Sequence, residues 1–382
     1  MWHKFLLAIS HAYLKSAVRR RPPRPLAELD LAGVRRVLLL NATALGDWLF
    51  STPTFRAIKE TYPHWQLDVL VHPRCQELAT PNPHLASLWL YPGRGPALFT
   101  LMGQIRRQHY DLVIILHGND PEATLIARAA GTPFIIGSAH SPLALVYSAT
   151  VSHPDPYDHA IERRLAYARL LGADTPDRRM NLCVPPAELQ RARDLLIEYF
   201  GSLPGVLAAL HPTGSAPYKW WPLDRYADLG TFVYERYQAP ILIISGSQDR
   251  PIAEKLAARL PGPTLVTGGR YGLLTVAGLL SHCRLLVAND SGPLHMALAL
   301  GVPTIALLGA DHPARIGPYR VDTATYLYAK DKACPEPDCL TRRCPDNLCL
   351  QAITTEDVIT TLKTWWEPRF LVEKDVGRGP GT

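Results

Sequence analysis

The sequence predicts an α/β protein of two facing, doubly wound domains, each a parallel sheet with helices on both sides. Three observations lead there. The 382 residues, 47% of them hydrophobic, exceed one ordinary domain and suffice for two cores. In both halves short β-branched or leucine-rich runs alternate with longer helical patterns, which is the α/β signature. The runs are nearly continuous in apolar residues, as strands covered on both faces require.

The chain opens on a stretch with no acid before Glu28, carrying Lys4, Lys15, Arg19, Arg20, Arg21 and Arg24. Trp2, Phe5, Leu6, Ile9, Ala12 and Tyr13 recur there at helical spacing, which predicts a basic amphipathic helix. Three uses stay open for it: lying in the interface of an anionic membrane, a solvated end, or a nucleic-acid arm. No basic motif interleaved with aromatics follows elsewhere, so no nucleic-acid partner is expected. Pro22, Pro23 and Pro25 mark a linker that closes this extension at residue 33.

A first domain, residues 34–180, is read from strands beginning at Val34, Gln66, Ser87, Asp111 and Pro133, followed by a helix from about Asp158 to Leu171. The polar, proline-bearing stretch ADTPDRRMNLCVPPAE lacks periodicity and reads as the interdomain linker, with the boundary near residue 180. A second domain, residues 181–370, has strands beginning at Val206, Pro240, Thr264, Arg284 and Pro303 and a last helix in TTEDVITTLKTWW. Residues 371–382 are left as a tail.

Charged residues make up 19% of the chain, which fits neither the disordered nor the membrane-spanning class. No apolar run approaches the roughly 20 residues that cross a bilayer, and Phe5 to Ile9 is too short for a secretion signal. A cytoplasmic location is expected. Cys75, Cys183 and Cys283 stand alone in regular segments, as reduced thiols do. Cys334, Cys339, Cys344 and Cys349 are spaced evenly, with four residues between each, and a metal site, a disulfide and reduced loop thiols all remain open for them.

In doubly wound folds ligands bind beyond the carboxyl ends of strands, so the residues that follow each strand carry the functional reading. After the first strand, Gly46 allows a tight turn and Asp47 falls at the start of a helix. Either capping or proton abstraction from a substrate hydroxyl suits a carboxylate there. In the second half, HPTGSAPYKWWPLDRY places Ser215 and the lone cation Lys219 in a small-residue loop beside Trp220, a setting for a phosphate or for an ordinary surface lysine. Asp249 follows the next strand, where a carboxylate either accepts from a ribose hydroxyl or caps a helix. LLVANDSGPLHMALALG is the strongest local signal: Asp290, Ser291 and Gly292 end a strand, and a helix bearing His295 begins at once, so its free amides face an anion. The chain has no Asp-x-Asp, no G-x-x-x-x-G-K-[ST], no G-x-G-x-x-G after the first strand and no G-x-S-x-G, which disfavours metal-carboxylate transferases, P-loop ATPases, nicotinamide dehydrogenases and serine hydrolases.

ALGDWLFSTPTFRAIKETYP, the turn HGND (His117 to Asp120), HPTGSAPYKWWPLDRYADL and NDSGPLHMALALGVPTIALLGADHPARIGPY together resemble the bacterial ADP-heptose:lipopolysaccharide heptosyltransferases, glycosyltransferase family nine. The resemblance runs from Val34 to the C-terminal helix in order. It implies the GT-B fold of two Rossmann-like domains, inversion at the anomeric carbon and neither a metal nor another cofactor. By the same resemblance Asp47 matches the family's catalytic base. Lys219 matches the family lysine that contacts the donor phosphate, with Ser215 expected to bind the donor as well, and Asp249 matches an acid that binds the adenosine ribose. Asp290, Ser291, Gly292 and His295 match its donor loop. Pro293 stands where the family more often has leucine. The implied partners are ADP-heptose and a lipid-linked core oligosaccharide acceptor in the inner core of lipopolysaccharide, met by peripheral contact with the inner face of the cytoplasmic membrane. Domain closure would bring acceptor and donor together. A transferase for another nucleotide sugar or glycan, and a catalytically silent binding protein on the same scaffold, remain the alternatives.

Overall fold

The structure is a computed structural model that describes residues 2–117, 121–335, 344 and 346–371, the side chains of residues 2–6 excepted. Cys339, the HGND turn beyond His117 and the tail beyond Leu371 lie outside the described residues. The chain forms two compact units, Met1–Asn181 and Leu182–Thr382.

Unit 1 contains β1 (Arg36–Asn41), β2 (Gln66–Val71), β3 (Ser87–Leu90), β4 (Leu112–Ile115), β5 (Ile135–Ser138) and β6 (Ala149–Val151) in the spatial order β3-β2-β1-β4-β5-β6. Every neighbouring pair is parallel. Unit 2 contains β7 (Ala208–His211), β8 (Ile241–Ile243), β9 (Thr264–Val266), β10 (Leu285–Asn289), β11 (Thr304–Leu308) and β12 (Ala324–Tyr328) in the order β12-β11-β10-β7-β8-β9, again all parallel. Within each unit the order is the same, and the direction of winding reverses next to the first strand: between β1 and β4, and between β7 and β10. A crevice opens beyond the carboxyl ends of strands at such a switch point.

The ten strands expected from the sequence are present because their residues fill the interior. Val37 through Asn41 are all buried, and Leu38 and Leu40 join Leu70, Val113, Ile115 and Ile135 in one core beneath helices Pro96–Arg106 and Glu122–Ala129. In unit 2 the helix Leu362–Leu371 returns to the core, where Trp366 is fully buried beside Tyr237 and its indole donates to the Arg284 carbonyl. The sequence reading did not find β6 and β12. Both are edge strands with exposed or half-exposed residues, so neither presents the unbroken apolar run that marks a covered strand.

The basic segment is a helix, Trp2–Arg20. It has two apolar faces. Leu14 is fully buried in the unit 1 core, with Leu7 and Val18 packed against the same cluster and Ser10 buried. Ile9, Ala12 and Tyr13, from the stripe named in the sequence, are exposed instead. Among the described residues no helix is long and apolar enough to cross a membrane. At the other end of the unit, residues 173–181 are strapped to helix Leu45–Thr61. Arg56 donates to the carbonyls of Asp177 and Arg179 at 2.6 and 2.7 Å, and the Asn181 amide donates to the Thr52 hydroxyl at 2.8 Å.

Removing a fully buried leucine leaves a cavity. Leu14→Ala is therefore expected to cost roughly 2–5 kcal/mol in urea unfolding, and a loss under about 0.5 kcal/mol, the range of ordinary surface substitutions, would show that the helix is not docked.

Candidate active site

In unit 1 the side chains at the switch point come from the segments after β1 and β4 and from helix Ala160–Arg169. Asp47 is the third residue of helix Leu45–Thr61, and the N-cap position is held by Ala44 with no side-chain cap bond. Of the two uses open to Asp47, capping is not realised. Its carboxylate instead forms an ion pair with Arg164 at 2.5 Å. Gly46 sits in the helix without a left-handed φ, so the turn expected of it is made by ordinary backbone. Arg164 is 8% exposed at its side chain and Asp47 35%, so the pair has an inner cationic half and an outer anionic half. Nη1 of Arg164 donates to the Ala160 carbonyl, the guanidinium lies over the Phe50 ring, and Nε finds no partner.

The same carboxylate is felt by two other groups. Burial pushes the Cys75 thiol up to about 11, and Asp47 adds to the shift, while the thiol donates to the Thr43 carbonyl. Burial lowers the His117 imidazole, outweighing the pull of Asp47, which leaves an uncharged ring at neutral pH. His117 follows β4 directly. Both ends of the switch point thus contribute to one small polar cluster.

Unit 2 repeats the arrangement with other residues. Asn289, fully buried at the end of β10, accepts from the Trp221 amide and donates to the Thr213 carbonyl, which ties the loop after β7 to the loop after β10. Lys219, in the short turn Pro217–Lys219, reaches Asp290 at 2.6 Å, and Nε2 of His295 lies 3.6 Å from the other carboxylate oxygen. Burial works to raise the Asp290 carboxyl, but His295 and Lys219 together hold it well below the usual carboxylate range. Lys219 is raised, since Asp290 overcomes the burial that would lower it. Asp311 is pushed up by burial, with Asp290 adding to the shift. Helix Gly292–Leu300 begins here. Ser291 stands at its N-cap without capping it and turns its hydroxyl back to the Asn289 carbonyl. The first amides of the helix are left for another acceptor.

Asp249 is the N-cap residue of helix Arg250–Ala257, again without a cap bond, and accepts from the Thr213 hydroxyl at 3.1 Å. Ser215 is exposed in the same loop region. The structure brings Lys219, Asp290, Ser291, Gly292 and His295 into one cluster and joins Asp249 to it through Thr213. Beside Asp249, Thr267 exchanges hydrogen bonds with Ser245, and Gly269, at φ 70°, lies where a Cβ would meet the Ser247 amide nitrogen at 2.5 Å. Only glycine fits that approach.

Sequence reasoning missed Arg164, Thr213, Ser245 and Thr267. A signal for Arg164 was present: it falls on the stripe of Ile161, Leu165 and Ala168, where an arginine must be buried and paired. As for the cysteine run, Cys334 and Cys344 are half-buried and Cys349 is buried. Among the described residues no group of three or more His, Cys, Asp or Glu is placed to hold a metal ion.

Two tandem doubly wound units of identical strand order, each with polar side chains gathered at its switch point, are the architecture of the GT-B class of glycosyltransferases. The family model for glycosyltransferase family 9 (heptosyltransferase) matches residues 98–342, well over half of the chain, which therefore belongs to that family. Lipopolysaccharide heptosyltransferase 3 of Escherichia coli is 23% identical over 279 residues, 70% of this chain and 82% of that protein. Among solved structures, a family 9 glycosyl transferase from Veillonella parvula superposes with a TM-score of 0.78 at 22% identity, covering 89% of this chain and 99% of that one. The E. coli ADP-heptose lps heptosyltransferase II gives 0.71 at 20% identity with the same coverage.

Replacing Lys219 leaves the buried Asp290 carboxylate with His295 beside it and without its lysine. Lys219→Met is expected to destabilise unit 2 by roughly 3–5 kcal/mol near neutral pH. Because the Asp290 carboxyl is lowered in the folded state, the pair's contribution is complete above the unfolded carboxylate value of about 4 and fades as pH falls below it. The gap between wild type and variant in thermal unfolding should therefore narrow below about pH 4; a gap that widens there would refute the pairing.

Proposed function

We propose that this glycosyltransferase moves heptose from ADP-heptose to an inner-core sugar of lipopolysaccharide, with inversion and without a metal ion. The observation that carries this reading is the Lys219–Asp290–His295 cluster at the uncapped start of helix Gly292–Leu300. A lysine and the amides of Gly292 and Leu294, Pro293 between them having none, offer a departing diphosphate the charge that a divalent cation supplies elsewhere. The donor assignment draws on the relatives, whose names include ADP-heptose and lipopolysaccharide. Asp249, with Thr213, is the proposed partner of the ribose. No cofactor is required by this chemistry.

On the acceptor side, Asp47 takes the proton of the attacking hydroxyl. Arg164 acts through it as a positioning residue. By holding one carboxylate oxygen from the buried side, it fixes the orientation of the Asp47 carboxylate and leaves the outer oxygen for the acceptor. The acceptor is lipid-linked, so the enzyme works in the cytoplasm against the inner face of the membrane.

Mass spectrometry of products from ADP-heptose and truncated core acceptors tests the reaction: a single heptose added to the acceptor is expected. Free heptose released without acceptor would make the protein a hydrolase, and no product with any nucleotide sugar would make it a binding protein. Asp47→Ala should lose roughly 10²–10⁴-fold in kcat with unchanged donor affinity; full activity would remove Asp47 from the step. Arg164→Met should lower kcat while leaving KM for the donor in place, and Arg164→Lys should restore part of the loss. Equal defects in both Arg164 variants would refute positioning.

A further inference from the structure

A second polar region lies in unit 1, at the opposite edge of the sheet from Asp47. A cavity of about 780 Å³ opens at the amino ends of β1, β4 and β5, where Val34, Asp111 and Phe134 line it together with Arg21, Arg24 and Arg106. Its acids are already engaged. Glu28 pairs with Arg24 at 2.8 Å, Asp111 accepts from the amides of Arg35 and Arg36, and Asp30 accepts from the Ala32 amide. Of its arginines, Arg24 is paired with that Glu28 and the others are not. Among the described residues, Arg21, Arg106 and Arg128 form no ion pair with an acid. They are nevertheless neighbours: Arg21 also lines a small adjoining cleft with Arg128, and burial, Arg21 and Arg106 all lower the Arg128 guanidinium, with Tyr13 acting against them. Three unpaired guanidinium groups repel one another, and a bound anion would relieve the repulsion.

Tyr13 links this cluster to the outer face of helix Trp2–Arg20. Ile9 is 52% exposed and Tyr13 63%, one turn apart, and exposed Lys15, Arg19 and Arg20 share the helix with them. The inner face is occupied by Leu14 and its neighbours, so the helix presents apolar and cationic groups outward from a fixed position. Apolar side chains that can enter the headgroup layer, flanked by cations with no acid among them, match the surface of an anionic bilayer.

We propose that Arg21, Arg106 and Arg128, with Ile9 and Tyr13, form one surface that binds the phosphate groups of an anionic phospholipid bilayer. The proposal deepens the peripheral location assumed for heptosyl transfer and rests on that reading only for its purpose. The surface holds the enzyme, whereas the chemistry belongs to the far edge of the sheet.

Co-sedimentation of the full chain with vesicles tests it. Wild type should pellet with vesicles of equal parts phosphatidylglycerol and phosphatidylethanolamine and stay in solution with phosphatidylcholine. Combining Arg21→Gln, Arg106→Gln and Arg128→Gln should lower the partition coefficient about a hundredfold, since each cation near such a surface contributes about 1 kcal/mol. Ile9→Ser with Tyr13→Ser should weaken binding without changing its dependence on anionic lipid. Far-UV circular dichroism and turnover of a water-soluble truncated acceptor should match wild type in both variants, which separates lost docking from lost folding. Failure of wild type to turn over that acceptor would instead strike the proposed reaction. Undiminished pelleting of the triple variant would overturn the proposal. So would displacement by millimolar inorganic phosphate, which would make the ligand a free anion, or equal binding to a DNA duplex.

Discussion

A carboxylate gripped by a buried or half-buried cation is the constraint on which each unit's functional edge depends. Asp47 and Arg164 are 117 residues apart in sequence, Lys219 and Asp290 are 71 apart, and each pair closes over the switch point of its own sheet. Neither cation is well hydrated, so each needs its partner, and that need fixes the loops that carry them. Where the chain must leave a strand, turn and enter a helix, the ion pair decides the path. The helix starts at Ala44, Asp249 and Ser291 carry no side-chain cap bond: Asp249 accepts from Thr213 and Ser291 turns its hydroxyl to the Asn289 carbonyl, so both are spent on joining loops rather than on the helix itself.

The two pairs differ in polarity of burial. In unit 1 the cation is inside and the carboxylate half-open, as the proposed proton acceptor requires. In unit 2 both partners are equally withdrawn, at 14% and 15% exposure, which suits a fixed electrostatic frame. The same strand order thus carries one pair with an open carboxylate and one pair that is closed on both sides. Asp68, buried in the middle of β2 and held by Arg36 and Tyr110, shows the third use of such a charge, as internal bracing with no outlet.

Much of this architecture was legible in the sequence, and the limits have physical causes. Central strands such as β1 and β10 are covered on both sides and read as unbroken apolar runs, whereas β6 and β12 are edges whose residues serve two environments. The turn after β10 stood out because small residues and a helix start are contiguous. The grip on it did not, because Lys219 is distant in sequence and lysines are ordinarily exposed. Arg164 was hidden by the opposite habit, a charged residue on an apolar stripe. In the first helix the visible stripe of Ile9 and Tyr13 drew attention from Leu7, Leu14 and Val18, which do the packing. Periodicity reports that a face is apolar; it does not say which of two such faces the core will take.

Cys75 lies within the electrostatic reach of Asp47, yet its thiol is held at about 11 by burial. Electrophiles and peroxides react with the thiolate, and at neutral pH almost none is present at this position. A sulfur can therefore sit beside Asp47 without becoming a point of oxidative damage, and alkylating reagents would spare this position.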